Sequence, residues 1–413
     1  MKSCKLIAED PRVQVEFGEE RLILQGGLQP FMLATSAGTL VVQAQLPQQK
    51  PYGTRKMVFP HRMATVVSRD GGNTWQRFVR KEGVDEVNIE GGAAELKDGT
   101  ILALDTYVVA SDKPGYGIGE LALSHDDWHT LEEPAAVSFE LTNIDIESKK
   151  DDGGHDHRAA RLHRSMIELP DGDLLTTMYT WFYGDNVPCP YMPSMHKART
   201  ILYRSSDKGR TWRQIGSVVK STDAGTEGFV EPVLVRLSQG LHEGRLLCLM
   251  RTGREMHAVY SDDEGVTWSE PKVELIGGID VNRTELWAEQ FRELNVPEPN
   301  EGMNELRGMY ADPDLIELHN GVLVCAFGVR IPEKACWKDP THPWNGNYVA
   351  FSLDQGESWS HVVQVTSGVL TAHYMSIREL APNVLYVAYD NGAWNKPELQ
   401  RVVGRRIGLS FRM

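Results

Sequence analysis

Short apolar runs separated by glycine turns recur along the whole chain. Residues 31–42, 92–104, 165–178, 232–250, 313–327 and 375–388 each read as strand, turn, strand. Their runs are rich in Val, Ile, Leu and Phe and too short for helices, which marks buried strands. The turns are Ser36-Ala37-Gly38, Lys97-Asp98-Gly99, Pro170-Asp171-Gly172, His242-Glu243-Gly244, His319-Asn320-Gly321 and Ala381-Pro382-Asn383. They follow one another at about 60 to 80 residues, a spacing that leaves room for two more strands per unit. A four-stranded antiparallel unit repeated six times is a propeller blade. The pattern therefore predicts an all-β fold, a six-bladed β-propeller in a single domain over 1–413. Strand-like segments at 13–24 and 401–411 are expected to meet in one blade and remove the open sheet edges.

A second repeat runs in phase with the first. Ser-x-Asp-x-Gly-x-Thr-Trp occurs at 68–75, 205–212 and 261–268, and at 352–359 with Ser358 in the Thr position. A worn copy at 124–131 keeps Asp126 and Thr130 but has lost the Gly and the final Trp. Ser and Asp accept hydrogen bonds from backbone N–H groups in tight turns, Gly allows positive φ, and Trp anchors the turn from below. The boxes read as hairpin staples on the blade rims, not as active sites. Three inserts interrupt the array: a polar, His-rich one at 140–162, a Pro-rich one at 183–199, and one at 282–294 with helical periodicity.

Composition narrows the class. The 413 residues are 41% hydrophobic and 24% charged, with a formal charge of −14. That charge argues against nucleic acid and anionic membrane partners. No apolar run reaches the length of a spanning helix, and the N-terminus lacks a signal-peptide core. A cytoplasmic location is expected, or secretion of a chain whose leader is absent. Cys4, Cys189, Cys248, Cys325 and Cys336 form an odd set without metal-ligand spacing, so neither a disulfide framework nor a metal is expected.

Leu96, Leu169 and Leu318 stand three before their turn glycines, as Thr35 does in the first blade, and Leu237 and Leu380 align with them. Six residues upstream of these anchors lie Gln29, Glu90, His163, Glu231, Asp312 and Tyr374. All six are polar or ionisable, and each precedes an apolar strand. Inner propeller strands share one direction around the axis, so this register predicts a ring lining an axial pocket.

The segment Glu231-Pro232-Val233-Leu234-Val235-Arg236-Leu237, followed by Gly244 to Arg251 and the box at Ser261, resembles the sialidase (neuraminidase) superfamily. Tyr374-Met375-Ser376-Ile377-Arg378-Glu379-Leu380 is similar to that family's late tyrosine motif. The resemblance spans nearly the whole chain. It implies Tyr374 as nucleophile, Glu231 as its base, and Arg251 as a contact for a substrate carboxylate. A phenol with a pKa near ~10 does need a neighbouring base to act as a nucleophile at neutral pH. A guanidinium fork suits a carboxylate.

Two parts of the family's machinery are missing. Gln29-Pro30-Phe31 stands where a sialidase carries its first carboxylate-binding arginine, and no carboxylate lies in 59–65, where that family's acid would be. His61 or His163 can serve as proton donor, and Glu90 and Asp312 as an acid–base pair with Glu231. Arg55, Arg62, Arg164 and Arg330 are candidates for anion contacts. His155, Asp156 and His157 with His163 suggest zinc, but the spacing is loose and the setting Gly- and Lys-rich. The leading expectation is an exo-acting glycoside hydrolase removing a terminal, acidic sugar, with a carbohydrate substrate and no cofactor. The rivals are a polysaccharide lyase or uronate-specific enzyme on the same scaffold, and a non-catalytic glycan-binding propeller.

Overall fold

The computed structural model describes residues 4–53, 61–146, 150, 159–283, 307–331, 336 and 340–412. The expected helix after Asn282, the cluster at His155–His157 and Arg55 lie outside them.

The described residues form six blades. Blade 1 is Leu28–Ala34, Leu40–Leu46, Arg62–Ser68 and Gln76–Phe78, antiparallel throughout. Blade 4 repeats the order with Val230–Arg236, Leu246–Arg251, Met256–Ser261 and Lys272–Glu274. Blade 5 runs from Met309–Glu317 to His361–Gln364, and blade 6 begins with Met375–Ala381 and Val384–Ala393. The second strands are apolar almost without alternation because blades pack against both of their faces. Every residue of Leu40–Leu46 is buried, whereas the outer Gln76–Phe78 is largely exposed.

The chain ends meet in blade 6. Val13–Phe17 pairs with the far end of the long strand Lys396–Phe411, and Arg21–Gln25 pairs with its near end. The segment read as one strand over 13–24 is thus two strands. Before them, Lys5–Ala8 adds a fifth strand to the outer edge of blade 5. Blades 2 and 3 are fused into one sheet, because their outer strands Ala135–Glu140 and Thr211–Ser217 pair in parallel and Phe139 stacks on Trp212 at 5.8 Å. Tyr107–Ala110 adds a second link between them.

The boxes are staples of one design. In the third full copy, Asp263 accepts from Thr267 N at 2.8 Å and Thr267 Oγ1 at 2.6 Å, while Ser261 Oγ accepts from Gly265 N at 2.8 Å. The Trp268 indole donates back to the Gly265 carbonyl at 3.1 Å. These donors, first Thr267, hold the Asp263 carboxyl down at about 2. The worn copy keeps the same bonds: Asp126 accepts from Thr130 N at 2.8 Å and Ser124 Oγ from Trp128 N at 2.9 Å. Trp128 occupies the glycine position at φ 62° and is buried beneath the turn. The aromatic stands three residues before the usual Trp position, and the backbone has taken the strain.

Replacing Asp263 by alanine removes three acceptor contacts at once. D263A is therefore expected to lower the midpoint of urea unfolding, with the slope unchanged. Because the carboxyl is held low in the fold, the wild-type advantage is present above pH 4 and fades as pH falls toward 2.

Candidate active site

The first strand of each blade enters from the axis through an irregular step. Gln29, Glu231 and Asp312 sit at φ 54°, 47° and 45°, each followed by proline. The pairing register slips at the same points, between Leu28 and Phe31, Val230 and Val233, and Ala311 and Asp314. Proline tolerates the lost ladder bond of a bulge, and the bulge turns the preceding side chain toward the axis. Arg164 at φ 46° and His373 at φ 65° hold the corresponding steps in blades 3 and 6. Each such residue costs on the order of 1–3 kcal/mol, so the surrounding structure must hold it there.

Arg164 is the hub. Its side chain is fully buried and touches four other blades. It bonds Glu90 of blade 2 at 2.9 Å, the Pro30 carbonyl of blade 1 at 3.2 Å and the Met375 carbonyl of blade 6, and it faces Asp312 Oδ2 of blade 5 at 2.7 Å as an ion pair. His163 completes the set, reaching the Pro232 carbonyl of blade 4 at 3.0 Å and Asp312 at 3.1 Å. Burial and then Arg164 push the His163 pKa down, which keeps the ring neutral. Burial pushes the Asp312 carboxyl up against the pull of Arg164.

Beside this hub lies a more open pair. Tyr374 of blade 6, partly exposed, donates to Glu231 Oε1 of blade 4 at 2.5 Å. The other Glu231 oxygen faces Arg251 Nε at 2.5 Å as an ion pair, without the alignment of a hydrogen bond. Arg251 also meets Glu227 at 3.0 Å. Burial would raise the Glu231 pKa, but Arg251 foremost, then His163 and the Tyr374 bond, bring it down to about 2. Burial and the Glu231 charge push the Tyr374 phenol well up. The resting pair is therefore a neutral phenol hydrogen-bonded to a carboxylate.

With this geometry in view, the relatives can be placed. A family model described as a BNR repeat-like domain matches residues 158–374, just over half of the chain. The chain belongs to that family. As a BNR propeller it is similar in fold to a Dyadobacter fermentans protein of unknown function, with 17% identity and a TM-score of 0.63 over 98% of this chain and 100% of that one. A Hadza microbial sialidase superposes at 14% identity and TM-score 0.54, covering 94% of this chain and 66% of the sialidase. A Penicillium chrysogenum α-L-arabinanase, solved with arabinobiose, superposes at 12% identity and TM-score 0.56 over 95% and 98%. At such identities the likeness is one of fold. No curated protein matches the chain in sequence.

Of the residues expected from sequence, this BNR propeller brings Glu90, His163, Arg164, Glu231, Arg251, Asp312 and Tyr374 together. Arg330 joins them, 5.9 Å from the centre of the Tyr374 ring, and donates to the Ala372 carbonyl at 3.0 Å. Gln29 is held by its backbone N–H on the buried Asp390 at 2.7 Å. His61 and Arg62 sit farther out. His61 stacks on Trp394 at 5.1 Å, and Arg62 lies over the Tyr52 ring at 3.7 Å. Sequence reasoning missed Glu227, four residues before Glu231, and Tyr191, which donates to it at 2.8 Å. It also missed Tyr179 and Arg161, which meet at 3.4 Å, with the Tyr179 ring edge-on to His163.

Glu90, His163 and Asp312 present oxygen and nitrogen atoms within 4.8 Å of one another, as a metal site would. The Arg164 guanidinium already occupies that space, paired with both carboxylates. A divalent ion would have to displace a buried cation. EDTA is therefore expected to leave the melting temperature unchanged. Arg164→Met, which strands Glu90 and Asp312 without their partner, is expected to cost about 3–5 kcal/mol in the same unfolding assay.

Proposed function

We propose that this BNR propeller is an exo-acting glycoside hydrolase that removes a terminal sugar, with Tyr374 as nucleophile and Glu231 as its base. The observation that carries the reading is the 2.5 Å bond between Tyr374 Oη and Glu231 Oε1 across the axis, at a partly exposed point of an otherwise buried cluster. A phenol that stays neutral until it attacks, next to a carboxylate that stays charged, suits nucleophilic catalysis in which proton transfer accompanies bond formation. As Tyr374 Oη bonds to the anomeric carbon, its proton passes to Glu231, and the glycosidic bond breaks toward the leaving oxygen. Water then attacks the anomeric carbon and gives its proton to the group that protonated the leaving oxygen. The proton held on Glu231 returns to Tyr374 Oη as the tyrosine–sugar bond breaks. Arg330, beside the Tyr374 ring, is the arginine assigned to an acidic group on the substrate. Asp312 is wholly buried with its oxygens turned to His163 and Arg164, so its role is to hold the axis, as is that of Arg164.

The leaving oxygen needs an acid, and His61 is assigned to it. The Trp394 stack favours this residue, because it binds the start of the third strand of blade 1 to the segment just beyond the second strand of blade 6. Burial lowers the His61 pKa below its ordinary value. The imidazolium required of an acid is thus present only at low pH and is lost as pH rises through a value below 6.5.

On a panel of aryl glycosides spanning neutral and acidic sugars, Tyr374→Phe and Glu231→Gln are each expected to lower kcat at least about 1000-fold with the melting curve retained. Full turnover in either variant would end the tyrosine–glutamate mechanism. The kcat profile is expected to decline on its alkaline side with a midpoint below 6.5, and His61→Ala to remove that limb on substrates with poor leaving groups. An unsaturated product, absorbing in the ultraviolet, would instead identify a lyase.

A further inference from the structure

The insert at 183–199 departs from the blade pattern and contributes nothing to the axial ring, yet one of its side chains ends on a carboxylate that pairs with Arg251. Its short hairpin pairs Pro188–Cys189 with Met192–His196. The hairpin hangs on the core through the Trp181 indole, which donates to the His196 carbonyl at 2.6 Å, and through Ala198 N, which donates to the Glu227 carbonyl at 2.8 Å. Tyr191, at the tip, donates to Glu227 Oε1 at 2.8 Å.

Glu227 is itself tightly placed. Thr226 N and Glu227 N both donate to the Thr252 carbonyl at 2.9 Å. Gly253 at φ 75° lies so close that a Cβ there would meet Glu227 Cγ at 2.9 Å and Thr226 Oγ1 at 2.2 Å. The other Glu227 oxygen pairs with Arg251 Nη2 at 3.0 Å, and Arg251 Nε faces Glu231 at 2.5 Å. A continuous line of polar contacts thus runs from Tyr191 through Glu227, Arg251 and Glu231 to Tyr374.

We propose that Glu227 and Tyr191 are positioning residues for the Tyr374–Glu231 pair, acting through Arg251, so that the hairpin insert helps to set the reactivity of the axial site. The assignment rests on the glycosidase reading and adds a role for a part of the chain that reading leaves unused. The physical need arises during turnover. When Glu231 takes the phenol proton it loses its charge, and Arg251 would be left as a buried, unpaired guanidinium. The Glu227 carboxylate, 3.0 Å from Arg251 Nη2, is the partner left to that guanidinium during the step. Tyr191 in turn satisfies the Glu227 oxygen that Arg251 does not. The effect falls on the transition state and not on substrate binding, so it should appear in kcat and leave KM alone.

Glu227→Gln, Tyr191→Phe and the double variant test this in the whole chain. The expected result is kcat lowered about tenfold by Glu227→Gln and about threefold by Tyr191→Phe, with KM within about twofold and the double variant no slower than Glu227→Gln alone. Glu227→Asp, which keeps the charge, should recover most of the rate, and it replaces Glu227→Gln should that variant fold poorly. Multiplicative losses in the double variant, or a change confined to KM, would overturn the relay. If the wild type cleaves no glycoside, the glycosidase reading falls and the relay is still decided by the ζ-carbon resonance of Tyr374, assigned with Tyr374→Phe. Glu227→Gln must shift that resonance. An unmoved signal would sink the relay independently of any activity.

Discussion

Six blades closing around an axis leave a problem that no single blade can solve: what fills the centre, where strands converge and backbone groups lose their ladder partners. Here the answer is one buried cation. Arg164 reaches from blade 3 to acceptors on blades 1, 2, 5 and 6, and its neighbour His163 supplies blade 4. A guanidinium suits the place because its fixed fork can address several acceptors in one plane, which a lysine ammonium cannot do with the same geometry. Burying that charge is tolerable only because Glu90 and Asp312 lie against it.

A belt of smaller contacts carries the same tie around the ring. Leu234 N donates to Ser165 Oγ at 2.9 Å, joining blades 4 and 3, and Met32 N to Ser376 Oγ at 3.1 Å, joining blades 1 and 6. Asp314 of blade 5 accepts from Ile377 N at 2.9 Å and from Arg378 at 2.7 Å in blade 6. These side chains replace backbone pairing where the strands bulge. The strained residues are therefore held from both sides, and the two reacting groups, on strands of different blades, are fixed relative to each other. Such fixation is what a proton transfer across the axis requires.

The repeat made the fold legible. Turn glycines and boxes gave six phases in register, and counting from them located Glu231 and Tyr374 without any structural help. What the register could not convey was direction. Arg164 stands next to a ring position and looked like an anion contact, but its bulge points the fork inward, where protein acceptors consume it. Glu227 and Tyr191 lie in a connecting loop and an insert, where no periodicity marks one polar residue above its neighbours. Their importance exists only through contacts spanning tens of residues. The fusion of blades 2 and 3 was hidden for a similar reason, since Trp212 reads as the anchor of its own box and nothing in the sequence marks Phe139 as its partner. The worn box shows the opposite case: a copy that looked degraded in sequence kept its turn because Ser124, Asp126 and Thr130, which make the hydrogen bonds, are all still there.

Two arginines in one cluster do different work, and their surroundings show why. Arg164 has no exposed surface, its acceptors come from four blades, and moving any of them would break the closure of the ring. Among the described residues Arg251 pairs with two carboxylates, Glu231 from its own blade and Glu227 from the loop leading into it. A carboxylate that can gain a proton must be one whose charge the scaffold can lose without collapse. Arg164 depends on Glu90 and Asp312 for its place at the axis. Glu231 can gain a proton, because Glu227 stays behind to hold Arg251. The chemistry is thus confined to the part of the cluster that carries a spare countercharge, and the fold to the part that does not.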